Sequence, residues 1–166
     1  MLSIPWSHIQ LIRSCTTLAS WALLHLGTNP RWKQKAIDEC KALVEKYTNT
    51  TSPEPLHTRL SAIPTSAWED ELPSIDSIIR ETLRISASGT LFRRNVMKDI
   101  QIGEATIKRG DFVAYSIADV SLNPEIYTNP MTFDPDRYGP GREEDRKENL
   151  AYLAWGAGMY ITTSKC

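Results

Sequence analysis

Apolar positions recur at helical spacing in three stretches of the chain. In the first stretch the apolar residues repeat at intervals of three and four: Leu11, Cys15, Leu18, Ala22 and Leu26. Trp21 and Leu24 widen this apolar face. Gly27 and the pair Asn29-Pro30 end this helix. The pattern predicts a second helix from Pro30 to Tyr47, and a third that opens between Glu71 and Ser74 and is closed by Gly89.

The remaining segments are punctuated or alternate with period two. Four prolines in "TNTTSPEPLHTRLSAIPTSAWEDELPS" predict a connector with at most a short helical turn before Trp68. "DIQIG" and "ATIKRGDFVAYSIA" alternate around a turn at residues 108–111, which predicts a small hairpin or sheet. From Leu122 onwards four more prolines and the charged run "REEDRKEN" predict short turns and an extended surface loop. The predicted fold class is therefore mainly α with a small β-sheet (α+β).

Composition and charge exclude some function classes. The 166 residues, 41% of them hydrophobic, suffice for one globular domain with a core. A formal net charge of -1 and the lack of a basic run longer than two residues indicate no nucleic-acid partner. Three widely separated cysteines, Cys15, Cys40 and Cys166, indicate neither a disulfide framework nor a zinc site, and fit a reducing, cytosol-facing environment.

The first 27 residues admit two interpretations, a cleaved targeting segment and a buried helix. The apolar run from Leu18 to Leu26 is interrupted by Ser20 and His25, and it is too short to span a bilayer. No basic region precedes it. The pattern favours the buried helix.

Charged residues at helical spacing are the first candidates for chemistry. Glu81 and Arg84 in "ETLR" lie three apart and project from one face of the third helix, which on its own is typical of a solvated surface pair. Downstream, "FDPDRY" supplies Arg137 in a segment fixed by proline. A glutamate between two guanidinium groups would have its oxygens satisfied by forked donors, as a partly buried charge requires.

Five motifs together resemble the cytochrome P-450 family of haem-thiolate monooxygenases. They are "ETLR", "LFRRN", "KRGD", "FDPDRY" and "WGAG", in the order and with the approximate separations of that family, and the resemblance is strongest to fungal members. It implies a partial fold, from the end of the family's helix I through its helices J and K, the β1 sheet region and the meander. Residues 1–158 would form this partial domain and residues 159–166 a divergent tail.

The resemblance implies roles for residues that match the family's motifs. Glu81, Arg84 and Arg137 would be the structural triad that fixes the loop carrying the haem thiolate. Arg94 would pair with a haem propionate, with Arg93 as the alternative in register and a surface position for both as the third interpretation. The segment "SASGTLF" would line the substrate pocket.

Two regions depart from the family pattern. In the first helix, Ser14 or Thr16 could relay protons as the family's alcohol does, but Arg13 occupies the position of a smaller acid or amide, and helical hydroxyls more often bond to their own backbone. In the last segment Trp155 and Gly158 match the haem loop, whereas Thr162 occupies the position of the ligand cysteine and no basic residue precedes it. We expect that Cys166, four residues later, does not ligate iron.

The resemblance also implies a cofactor and partners. These are haem, a small organic substrate, an electron donor of the NADPH-cytochrome reductase type, and the cytosolic face of the endoplasmic-reticulum membrane. We expect the membrane anchor and the helices over the distal face of the haem to be missing from this chain. Two hypotheses follow: a monooxygenase fragment that does not catalyse alone, and a non-catalytic truncated remnant that acts, if at all, through protein interaction.

Overall fold

The structure is a computed structural model, and it describes residues 6–49, 51, 53–86 and 89–154, with side chains described from Ser14 onwards. Six α-helices follow one another along this part of the chain: α1 (Trp6–Thr28), α2 (Pro30–Tyr47), α3 (Leu56–Ser61), α4 (Thr65–Asp70), α5 (Pro73–Ser86) and α6 (Ile117–Ser121). Short 3-10 turns span Pro135–Tyr138 and Glu144–Arg146. The predicted α+β class is confirmed.

Four short strands form two antiparallel pairs. Strand β1 (Thr90–Arg94) pairs with β4 (Phe112–Ser116), and β2 (Ile100–Ile102) pairs with β3 (Ala105–Ile107). The β2–β3 connection turns at Gly103, whose φ of 56° lies in the left-handed region that glycine adopts without strain.

The described residues divide into two compact units. The first contains the chain up to Leu83 together with Phe133–Arg142, and the second contains Arg84–Thr132 and residues 143–154. In the first unit, Trp32 and Ala36 of α2 bury against Ile78 of α5. A second cluster there consists of Leu43, Ile63, Ala67 and Leu72. The second unit is centred on Ile126, Tyr127 and Ala151.

The predicted connector between α2 and α5 was wrong. It contains two helices of six residues each, α3 and α4, rather than at most one helical turn. Pro55 and Pro64 are the N-cap residues of these helices, so neither proline interrupts the hydrogen bonds within a helix. Ala67 of α4 is buried in the cluster described above, and Leu60 of α3 is partly buried against it, so tertiary packing stabilises helices that the proline spacing did not predict.

The predicted small hairpin or sheet is confirmed, although the strands on either side of residues 108–111 do not pair with each other. The turn is present, with the Asp111 N–H donating to the Lys108 carbonyl at 3.1 Å. Strand β3 pairs with β2, which precedes it in the chain, and β4 pairs with β1, which is distant in the sequence. Asn95 extends that second pairing, because its N–H donates to the Asp111 carbonyl and its own carbonyl accepts from Gly110.

Candidate functional site

The side chains of Glu81 and Arg137 form a wholly buried ion pair within the first unit. Arg137 Nε donates to Glu81 Oε1 at 2.9 Å, and both side chains have no exposed surface. A charge removed from water is costly unless the partner charge and further hydrogen bonds compensate it. Glu81 is therefore a buried, paired residue, and the interpretation of Glu81 as a solvated surface residue was wrong.

Two further donors from the same short segment bind the Glu81 carboxylate. The backbone N–H of Asp134 donates to Oε1 at 3.0 Å, and the Tyr138 hydroxyl donates to Oε2 at 3.0 Å. Asp134, Arg137 and Tyr138 all belong to "FDPDRY". Glu81 thus anchors this segment to α5 through a charged pair, a backbone bond and a hydroxyl bond.

The segment that carries Arg137 is shaped by its own sequence. The Asp134 carboxylate accepts from the Asp136 N–H at 3.2 Å and from Arg142 Nη1 at 2.6 Å. Pro135 lies in the first turn of the 3-10 helix, where its missing N–H costs nothing. A Cβ added at Gly139 would come within 3.2 Å of the Asp136 carbonyl oxygen, so the turn is tight there. These contacts fix the direction in which Arg137 leaves the backbone.

Arg84 is buried in the second unit, with 1% of its surface exposed. Its Nη1 donates to the Ser121 carbonyl at 2.6 Å and its Nη2 donates to the Pro130 carbonyl at 2.7 Å. The guanidinium also lies 4.8 Å from the centre of the Tyr127 ring. Arg84 therefore donates hydrogen bonds to two loop carbonyls, and the sequence pattern did not predict these partners.

Arg94 has a different environment. It is exposed on β1, its Nε donates to the Gly110 carbonyl at 3.3 Å, and its guanidinium lies 5.7 Å from the Phe112 ring centre. Arg93 is also exposed and donates to the Phe92 carbonyl. Since neighbouring strand residues point to opposite faces, only one of the two arginines can serve a given ligand.

Ser14 and Thr16 are exposed on α1, and the carbonyl of Thr16 accepts from Ser20 Oγ at 2.9 Å. Their proton-relay role stays a prediction. Trp155, Gly158, Thr162 and Cys166 lie outside the described residues, and so does the comparison of Cys166 with the family's ligand position.

The two described cysteines, Cys15 and Cys40, are both partly buried. Cys40 lines an apolar groove with Leu23, Leu26 and Ile37, and burial, followed by the nearby Glu39 carboxylate, raises the pKa of its thiol. A raised pKa disfavours the thiolate that binds iron. Across the described residues no group of three or more histidine, cysteine, aspartate or glutamate side chains is placed to hold a metal ion.

Residues that the sequence pattern missed are Tyr138, as a hydrogen-bond donor to Glu81, and Glu144. The "REEDRKEN" run was predicted to be a surface loop, but Glu144 is 2% exposed and accepts from the Thr128 N–H at 3.1 Å. No periodic signal marks a single buried acid within a charged run. The aromatic at the end of "FDPDRY" was the available signal for Tyr138.

No helix of the described part of the chain has the length and apolar character needed to cross a membrane.

Comparison with known proteins gives consistent matches. The family model described as Cytochrome P450 matches residues 14–160. A cytochrome P450 monooxygenase, AacuE from Aspergillus aculeatus, is 32% identical over 145 residues, which cover 85% of this chain and 29% of the relative. The cytochrome P450 monooxygenase dmxR5 from a Cryptosporiopsis species is 33% identical over 141 residues, covering 84% of this chain and 27% of the relative.

The fold has a solved counterpart. A retinoic acid-bound cyanobacterial CYP120A1 superposes with a TM-score of 0.62 at 24% identity, over 86% of this chain and 29% of that protein. The similarity supports the fold alone. The chain thus spans less than a third of the length of the relatives that it matches.

Proposed function

Because the chain belongs to the cytochrome P450 family, we propose that residues 1–158 are the part of a haem-dependent monooxygenase that supports the haem-binding loop. The activity of the whole protein would insert one oxygen atom from O2 into a small organic substrate. Its electrons would come from a donor of the NADPH-cytochrome reductase type. By family likeness the whole protein would work on the cytosolic face of the endoplasmic-reticulum membrane.

The buried Glu81–Arg137 pair is the observation that carries this proposal. An ion pair at full burial, with the Asp134 N–H and the Tyr138 hydroxyl as further donors, contributes little net stability compared with a well-packed apolar alternative. Its use is better explained by geometry, since it fixes "FDPDRY" against α5 in one arrangement. Arg84 would likewise hold the loops that contain Ser121 and Pro130 in one arrangement.

Haem bound through a thiolate supplies the oxygen chemistry of the family, and the residues present fit it only in part. Arg94, exposed beside Phe112, is suited to hold a propionate. The axial position does not fit, because Thr162 stands where the family pattern requires cysteine and a hydroxyl is a poor substitute for a thiolate.

We therefore propose that these 166 residues do not catalyse alone, and that the tail at residues 159–166 departs from the functional loop. The alternative is a non-catalytic remnant that acts through protein interaction. It is favoured by the apolar surface of α1, where Leu23 is 70% exposed and Leu24 is 62% exposed. Leu18 of the same helix is half-exposed.

The test is the absorption spectrum of the chain expressed with haem available, reduced and exposed to carbon monoxide. We expect no red-shifted Soret band, because that band needs a thiolate on the iron. Its appearance would overturn the proposal, and its loss in Cys166→Ser would then identify Cys166 as the ligand. Thr162→Cys is the matched gain-of-ligand variant.

Transcript sequencing beyond the codon for Gly158 tests the origin of the tail. A frame that continues into an Arg-His-x-Cys segment would identify residues 159–166 as a splicing or gene-model product.

A further inference from the structure

His25 stacks directly on the first residue of the segment that carries Arg137. The rings of His25 and Phe133 are 4.5 Å apart between centroids and inclined by 7°. Trp21, one turn earlier on α1, lies 6.2 Å from the imidazole. The next residue after Phe133 is Asp134, whose N–H donates to Glu81. The imidazole therefore packs where "FDPDRY" begins.

The surroundings of the His25 imidazole favour its neutral form. Its Nε2 atom is shielded from solvent and has no hydrogen-bond partner among the described residues. Burial lowers the pKa of His25 below its ordinary value, and the Glu81 carboxylate, which acts in the opposite direction, does not restore it. At neutral pH the ring is thus uncharged and stacks as an aromatic.

We propose that His25 is a positioning residue whose neutral ring holds Phe133 in place, and that protonation of this ring makes the packing of residues 133–142 on α1 acid-sensitive. This goes beyond the proposed function, because it concerns the packing of the chain and does not require haem.

Acidic groups close to His25 are already engaged. On α5, Glu81 is paired with Arg137 and accepts from Asp134 and Tyr138. On the 133–142 segment the Asp134 carboxylate accepts from Arg142 and from the Asp136 N–H. Neither carboxylate is therefore available as a dedicated partner for an imidazolium.

Charged groups of α1 and α2 near this position can be named from the described residues. Along residues 14–28 of α1, His25 is the only side chain that becomes a cation. On α2, Arg31 and Lys35 lie over the ring of Trp32, which belongs to the same cluster as Phe133, and Arg31 pairs with Asp136. The neutral imidazole is favoured by burial, and the Glu81 carboxylate acts in the opposite direction.

The direction of the pH effect follows from linkage. Above 6.5, the ordinary pKa of histidine, His25 is neutral in both the folded and the unfolded chain, and its contribution is fully present. As the pH falls below that value, the unfolded chain takes up the proton first and is favoured. The contribution of His25 to stability decreases continuously until the pH reaches the lowered folded pKa. Each pH unit between the two pKa values raises the unfolding constant about tenfold.

His25→Phe is the variant that separates titration from packing, because it keeps an aromatic ring on Phe133 and cannot be protonated. His57→Gln removes an exposed histidine on α3 and serves as the matched control. We expect the unfolding constant of the wild type to rise between pH 7.5 and pH 5.5 by a larger factor than that of His25→Phe. His57→Gln should follow the wild type. An equal rise in the wild type and in His25→Phe would overturn the proposal.

NMR titration of the wild-type chain decides the question without any variant. The His25 ring resonances should titrate with a midpoint below 6.5, and the ring resonances of Phe133 should shift with the same midpoint. The proposal would be contradicted by a His25 midpoint at or above 6.5, or by Phe133 ring resonances that do not shift with the His25 titration.

Discussion

Arg137 donates its Nε hydrogen to Glu81 Oε1 across 2.9 Å, and both side chains are fully buried although 56 positions separate them in the sequence. A contact of this separation brings the end of α5 and the "FDPDRY" segment together. Because the Asp134 N–H and the Tyr138 hydroxyl bond to the same carboxylate, three residues of one short segment share one anchor. The anchor is consequently sensitive to loss of either charge.

Replacing Arg137 by Met should lower the free energy of unfolding by about 3–5 kcal/mol, because it removes one partner of a fully buried ion pair and leaves the Glu81 carboxylate buried. Urea denaturation followed by circular dichroism measures the change. Arg146→Met is the control: Arg146 pairs with Glu143 while 73% exposed, so its loss should cost less than about 1 kcal/mol. Equal losses in the two variants would contradict a structural role for the buried pair.

The helices α1, α2 and α5 could be predicted from the sequence because their signals are local. Apolar spacing gives the buried face, and Pro30 marks the start of α2 as observed. The partners of β1 and of Glu144 could not be predicted in this way. Strand β1 pairs with residues 112–116, and Glu144 binds the N–H of Thr128, so both depend on contacts between distant parts of the chain.

The candidate site divides along the same line. Spacing alone placed Glu81 and Arg84 on one helix face but favoured a solvated pair, whereas both are buried. The link from Glu81 to Arg137 was expected only through the family resemblance, because no local pattern joins residues 56 positions apart. The carbonyl partners of Arg84 had no sequence signal, since any residue type supplies a carbonyl.

Arg84→Lys should destabilise the chain by about 1–3 kcal/mol, although it preserves the charge. A single ammonium cannot reproduce the planar fork that donates to the Ser121 and Pro130 carbonyls, and a buried acceptor left without its donor has a cost of this size. Arg93→Lys, an exposed change on β1, should leave the free energy of unfolding within about 0.5 kcal/mol of the wild type. If the two variants unfold at the same urea concentration, the fork of Arg84 is not needed.

Glu39 of α2 caps the start of α5 from another helix. Its carboxylate accepts from the backbone N–H groups of Ser74 and Ile75, at distances of 2.9–3.1 Å. Glu39→Gln removes the charge that favours a helix N-terminus, and it should lower the free energy of unfolding by about 1 kcal/mol. Glu45→Gln, an exposed acid on the same helix, is the control and should be close to neutral. A larger loss in the control than in Glu39→Gln would exclude capping as the cause.

The carboxylate of Glu71 accepts from Lys46 Nζ and from the Tyr47 hydroxyl, each at 2.6 Å. The hydrogen bond from Lys46, followed by that from Tyr47, lowers the pKa of Glu71 below 4.5, and the same contact raises the pKa of Lys46 above 10.5. The stabilisation from Glu71 is thus present above pH 4.5 and is lost as the pH falls through its lowered folded pKa. That from Lys46 is present below pH 10.5 and is lost as the pH rises through its raised folded pKa.

Carbon-detected NMR titration of the Glu71 carboxyl measures the acidic limb directly. In Lys46→Met the midpoint should move up towards 4.5, because the largest cause of the shift has been removed, while the Tyr47 hydroxyl keeps part of it. Lys35→Met removes a lysine from the same helix that lies over the Trp32 ring, and it should leave the Glu71 midpoint unchanged. A midpoint that moves equally in both variants would mean that general charge, and not the Lys46 hydrogen bond, sets the pKa of Glu71.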